Sequence, residues 1–176
     1  MRKSPELMAT LLERAVAVVR AHPDAEGVTL ETHYGDPAET AVVVDGKQIE
    51  RAISNLLVNA CQAVRCIGTN RKVVITLEMN EISMVVNVRD NGPGVPEKIR
   101  GSLFEPFVSE GKQKGTGLGL TLAHCIAADH GGAVVLLSSR PGETIFQMKV
   151  ARGLSPAETD GVERHDQVFP DENVRT

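Results

Sequence analysis

The chain has 176 residues, 41% hydrophobic and 24% charged, which is enough for one domain with its own core. Its net charge is −4 and it shows no basic stripe, which argues against nucleic acid as a partner. Cys61, Cys66 and Cys125 form no CxxC pair and no metal-ligand spacing, so they read as reduced thiols packed on helices. No apolar run approaches the ~20 residues that span a bilayer. Glu13 and Arg14 interrupt the apolar N-terminal stretch that a signal peptide needs. The expectation is a soluble, cytoplasmic segment without membrane contact, which leaves a parent protein free to be membrane-anchored. Aromatic residues make up only 3%, so the core must be mainly Val, Leu, Ile and Ala.

Leu7, Leu11, Leu12, Ala15, Val18 and Val19 recur at helical spacing and predict a first helix. HPDAEG breaks that pattern. VTLETHY then alternates, with Val28, Leu30 and Thr32 on one side, and AVVV is a second short strand. Asp45 is placed to cap a second helix, with Gln48 completing a capping-box spacing. Ile49, Ile53, Leu56, Leu57, Ala60 and Val64 mark the apolar face of that helix.

KVVITLEMN and ISMVVNVRD read as a hairpin with Asn80 and Glu81 at its link, and DNGPGVP as a loop. A glycine-rich, lysine-bearing loop follows over about 108–116. A third helix takes over near Gly117 and ends at the pair Gly131 and Gly132. AVVLLSS and TIFQMKV are two more strands around the turn RPGE. The polar, acidic, aperiodic segment 152–176 is expected to be disordered, leaving a folded domain over 1–151. Hairpin connections dominate. The expected fold is therefore α/β, a two-layer sandwich with a mixed, mainly antiparallel sheet and helices on one face.

Three polar features interrupt this aliphatic scaffold. Asn55 and Asn59 lie four apart in NLLVNACQA and share a helix face, with Gln62 near it. Asparagine is a poor helix former, so two of them mid-helix cost stability unless they face something. The plain alternative is a solvated polar stripe. In RDNGPGVP, Asp90 ends a strand, where a carboxylate accepts strictly and suits an exocyclic amine. The same residues also suit a tight turn.

In GKQKGTGLGL, free N–H groups at the start of the helix make an anion site, and Lys112 and Lys114 stand nearby. The stretch is not a Walker A sequence, and its GxGxG spacing is not GxGxxG. No HRD or DFG follows, so it is not a protein-kinase loop. A flexible loop without function is the alternative.

The order NLLVNACQA, DNGPGVP, LFEPF, GTGLGL resembles the N, G1, F and G2 boxes of the GHKL ATPases. It is most similar to the catalytic ATP-binding domain of bacterial sensor histidine kinases. The likeness covers roughly 7–150. The resemblance implies a Bergerat fold that binds ATP and Mg²⁺. Carried over, Asn59 would be the Mg²⁺ ligand and Asn55 would line the phosphate side, the two forming the catalytic pair. Asp90 would hold the adenine amine, directly and through water, while Gly92 and Gly94 let the loop pass close to the base. Gly115, Thr116, Gly117, Leu118 and Gly119 would face the phosphates, with Lys112 or Lys114 adding a lid cation. Phe104 and Phe107 would anchor the lid, and Thr144 would support an adenine-site water.

Hydrolytic members of the superfamily carry a glutamate one helical turn before the Mg²⁺ asparagine. Here that position is Asn55, and an amide cannot act as general base. The resemblance therefore implies transfer of the γ-phosphoryl group to a separate nucleophile, as in two-component signal transduction. His22, His33, His124, His130 and His165 all lack a phosphoacceptor context, and His22 and His130 read as structural or surface residues. The implied partner is a dimerisation and histidine-phosphoacceptor domain, upstream or in another chain, with a response regulator served indirectly. An anti-sigma-type serine kinase and a non-catalytic, nucleotide-responsive interaction module are the alternatives.

Overall fold

The computed structural model describes residues 2–34, 41–79, 82–108 and 117–152. The expected hairpin link at Asn80 and Glu81, the lid residues Lys112, Lys114, Gly115 and Thr116, and the tail 153–176 lie outside the described residues. The chain runs β1 (Ser4–Leu7), α1 (Met8–Arg20), β2 (Thr29–Tyr34), β3 (Ala41–Val44) and α2 (Gly46–Ala63). It continues with β4 (Lys72–Met79), β5 (Ser83–Asp90), α3 (Glu97–Arg100), α4 (Gly119–Asp129), β6 (Ala133–Arg140) and β7 (Glu143–Ala151).

Five strands form the main sheet in the order β2-β4-β5-β7-β6. β2 pairs with β4 in parallel and the other neighbours are antiparallel, so the sheet is mixed and mainly antiparallel, as expected. α1, α2 and α4 lie on one face, with α2 in the middle. Strand alternation aims Val73, Ile75 and Leu77 of β4, Val86 and Val88 of β5, and Phe146 and Met148 of β7 at the helices. Burying each such side chain stabilises the fold by about 1.5–3 kcal/mol before entropy is counted. Among the described residues, no helix is long and apolar enough to cross a membrane.

Two details depart from the pattern read in the sequence. β1 pairs antiparallel with β3 in a small second sheet, so α1 starts at Met8. Met8 and Val16 then take core positions, and Leu7 and Val18 stay exposed. A four-residue strand containing Pro5 carries no alternation long enough to read. In β6, Leu136 pairs with Phe146 but Ser138 pairs with Ile145, leaving Leu137 as an unopposed bulge residue. That extra residue reverses which side of the sheet the end of the strand presents.

The helix ends follow their sequence signals. The Asp45 side chain accepts the Gln48 N–H at 3.3 Å and caps α2. α4 ends where Gly131 adopts φ +72 and the Gly132 N–H returns to the Ala127 carbonyl.

Candidate functional site

α2 carries its apolar face into the core and turns Asn55 and Asn59 along its half-buried flank. The Asn55 amide nitrogen is buried and has no hydrogen-bond partner. A buried donor left open costs about 1–3 kcal/mol, so this group is built to meet an acceptor. The start of α4 lies over it. A methyl group at Gly119 would sit 3.9 Å from the Asn55 Cβ and 4.0 Å from its amide carbon and oxygen. Leu118 precedes the helix without a side-chain cap, which leaves the first-turn N–H groups and the positive end of the helix dipole beside Asn55.

Two turns further along α2, Ala63 meets the loop after β5. Asp90 is 1% exposed. Its Oδ1 accepts the Gly92 N–H at 2.8 Å, and its Oδ2 is buried with no partner. Burial pushes the carboxyl up to about 6, against the opposing pull of the Gly92 N–H and the Thr144 hydroxyl. Thr144 stands directly opposite Asp90 in the β5–β7 ladder.

Glycine is required at two positions of the loop that follows this carboxylate. A methyl group at Gly92 would lie 2.6 Å from Asp90 Oδ1 and 3.2 Å from the Ala63 carbonyl oxygen. Gly94 has φ +87, and a methyl group there would lie 3.1 Å from the Arg140 backbone carbon. From Asn55 to Ala63 is eight residues, or about 12 Å of helix. An open donor near a helix N-terminus thus faces one end of this flank and an open carboxylate oxygen the other.

The structure puts Asn55 beside Gly119 and Leu118 at one end of this flank and Asp90 beside Gly92 and Thr144 at the other, with Asn59 between them on α2 and Gly94 packed on the Arg140 backbone. The Gly117 carbonyl accepts the Phe107 N–H at 3.2 Å, next to the segment expected as a lid. Two expectations need correcting. Gln62 has a structural partner, donating to the Asp24 carboxylate at 2.7 Å, so it ties α2 to the turn before β2. Phe104 stacks on His124 with ring centroids 4.9 Å apart, but Phe107 is 76% exposed at φ +65 and meets Gly117 through its backbone N–H, not its ring.

Asn91 was overlooked in the sequence. Its Oδ1 accepts the Lys72 N–H at 2.8 Å and its Nδ2 donates to the Asn70 carbonyl at 2.7 Å, fixing the start of the loop to β4. The turn-forming DNG was the only available signal.

A family profile described as "Histidine kinase-, DNA gyrase B-, and HSP90-like ATPase" matches residues 44–153. The chain belongs to that family. Among curated proteins it is similar to the sensory histidine kinase/phosphatase NtrB of Rhodobacter capsulatus, at 36% identity over 125 residues. The aligned part is 65% of this chain and 35% of that protein. NtrB of Salmonella typhimurium is 36% identical over 152 residues, which are 81% of this chain and 42% of that protein. Among solved structures, the nucleotide-free catalytic domain of the histidine kinase ThkA aligns with a TM-score of 0.74 at 26% identity. It covers 88% of this chain and 100% of that one. The chain spans less than half the length of these curated relatives.

Within this histidine kinase-like ATPase domain, the candidate site is one flank of α2 bounded by the loop after β5 and the start of α4. Asp90 is the one buried carboxylate among the described residues of the flank, and the opposite end presents the start of α4 and the open Asn55 amide.

Proposed function

We propose that this domain binds ATP with Mg²⁺ and presents the γ-phosphoryl group to a histidine on a dimerising helical domain outside this chain, so as to feed a response regulator. The observation that carries the reading is the Asp90 Oδ2, a buried acceptor with no partner at one end of α2. Adenine offers an N6 amine to such an acceptor and guanine an O6, so the carboxylate selects adenine. At the other end, the open Asn55 amide and the α4 N-terminus suit phosphate oxygens. The Asn59 amide oxygen is a hard donor of the kind Mg²⁺ accepts, and the ion would supply charge neutralisation between phosphates. Lys112, Lys114, Gly115 and Thr116 are assigned to the phosphate side on sequence resemblance alone.

Phosphoryl transfer asks mainly for positioning and charge neutralisation, and this flank has parts for both. Asn55 can orient a phosphate but cannot take a proton from water, which favours transfer over hydrolysis. The test is calorimetric titration of the chain with ATP and Mg²⁺, then labelling of a supplied phosphoacceptor domain. Asn59→Ala and Asp90→Ala should weaken binding severely, leaving affinity measurable only at high ligand concentration. Wild-type affinity in both variants would refute the site.

A further inference from the structure

The loop that follows Asp90 does not stand alone. The Val95 N–H donates to the Ser139 hydroxyl at 2.7 Å, and that hydroxyl reaches back to the Val95 carbonyl at 3.4 Å. Arg100 spans the same junction, with its Nε donating to the Val95 carbonyl at 2.9 Å and a terminal nitrogen to the Ser139 carbonyl at 3.2 Å. The Gly142 N–H donates to the Gly92 carbonyl at 2.8 Å. Gly94 packs directly on the Arg140 backbone. Gly92, Gly94 and Val95 are thus stitched to the end of β6 and the turn that follows it.

Ser139 reaches this loop only because of the bulge at Leu137. With unbroken alternation from Leu136, whose partner Phe146 faces the helices, Ser139 would point to the opposite side of the sheet. The extra residue instead pairs Ser139 with Thr144, and Thr144 pairs with Asp90. Ser139, Thr144 and Asp90 therefore form one polar row across three adjacent strands, and the row ends on the loop. Neither the Ser139 hydroxyl nor the Arg100 guanidinium has a role in the site described above.

We propose that Ser139 and Arg100 are positioning residues of the nucleotide site: they hold loop 92–95 on the β6–β7 turn, which sets the base against Asp90. This rests on the reading of Asp90 as the acceptor for the adenine amine. The clamp acts through the loop and makes its contribution at the base, leaving the phosphate end untouched.

The test compares the affinity of the chain for ATP with its affinity for purine riboside triphosphate, which lacks only the exocyclic amine. A general loss of fold weakens both ligands alike and leaves their ratio unchanged, whereas a displaced loop reduces the ratio. Ser139→Ala should lower the ATP preference about three- to tenfold, the worth of one net hydrogen bond or slightly more. Arg100→Gln, at an exposed position where folding is not at risk, should lower it in the same direction. Asp90→Ala serves as the reference with no amine selection.

If the wild type prefers ATP and both variants keep the full preference, the clamp is overturned and the Asp90 reading stands. If the wild type shows no more preference than Asp90→Ala, the Asp90 reading falls and the clamp falls with it.

Discussion

The backbone N–H of Asp45 donates to Nε2 of His130 at 3.0 Å, while Nδ1 of the same ring donates to the Ile126 carbonyl at 2.8 Å. His130 is buried and follows the last residue of α4, and Asp45 caps α2. One imidazole therefore fixes the start of the helix that bears both asparagines to the end of the helix that faces Asn55. His130→Phe would keep the bulk but strand both backbone groups. The expected loss is about 1–3 kcal/mol in urea unfolding. A variant as stable as the wild type would remove this tie from the account.

Asp90→Asn should separate stability from binding. The fold holds the carboxyl at about 6, against about 3.9 in an unfolded chain, so the folded state disfavours the ionised form. That penalty is complete above about pH 6, shrinks as pH falls towards 4, and is absent below it. It amounts to at most about 3 kcal/mol at pH 7. Asparagine keeps the acceptor for the Gly92 N–H. The nucleotide-free variant should melt higher than wild type at pH 7, lose that advantage near pH 4, and fail to bind ATP. Thermal melts at both pH values and one calorimetric titration check all three outcomes.

The same carboxyl makes ATP binding depend on pH. Only the ionised form is a strict acceptor, so affinity should fall as pH drops through about 6. From pH 7 to pH 5 the ionised fraction declines about tenfold, and the dissociation constant should rise by a similar factor. Titration of ATP's own phosphates contributes to the raw curve. The diagnostic quantity is therefore the difference from a variant such as Asp90→Ala at high ligand concentration. A wild-type curve parallel to that of the variant would exclude Asp90 as the titrating group.

Gly92→Ala and Gly117→Ala should damage binding by different routes. At Gly92 the added methyl meets Asp90 Oδ1 at 2.6 Å and the Ala63 carbonyl, so it displaces the carboxylate itself. At Gly117 it meets the Phe107 backbone carbon at 2.7 Å, on a residue already at φ +66, and pries apart the base of the lid. The first should cost affinity for adenosine as much as for ATP. The second should cost affinity for ATP alone. Fluorescence competition with the two ligands distinguishes them.

α1 and α2 were legible because each repeats apolar residues at the helical period and α2 declares its cap in Asp45, while α4 was marked by the glycines at its ends. The β4–β5 pair was legible from alternation and the β6–β7 pair from two apolar runs around the turn RPGE. Much of the candidate site was also legible, since Asn55 with Asn59 and Asp90 with Gly92 are local patterns that need no partner to be seen. What escaped depends on contacts distant in sequence. Asn91 meets Lys72, Ser139 meets Val95, and Phe107 faces solvent although its spacing from Phe104 suggested a shared role. Gln62 sits one turn from Asn59, and no helical period could say that Asp24 would claim it.

The bulge at Leu137 also means that β6 is written in two reading frames. Up to Leu136 the parity of a position says whether it faces the helices, and from Ser138 onward the parity is inverted. A single-residue deletion at Leu137 would leave composition, strand propensity and the hydrophobic half of β6 almost unchanged, yet it would exchange the destinations of Ser138 and Ser139. Length variation at this point is therefore a change of instruction to the adjacent loop, even where it resembles a neutral trimming of a hairpin.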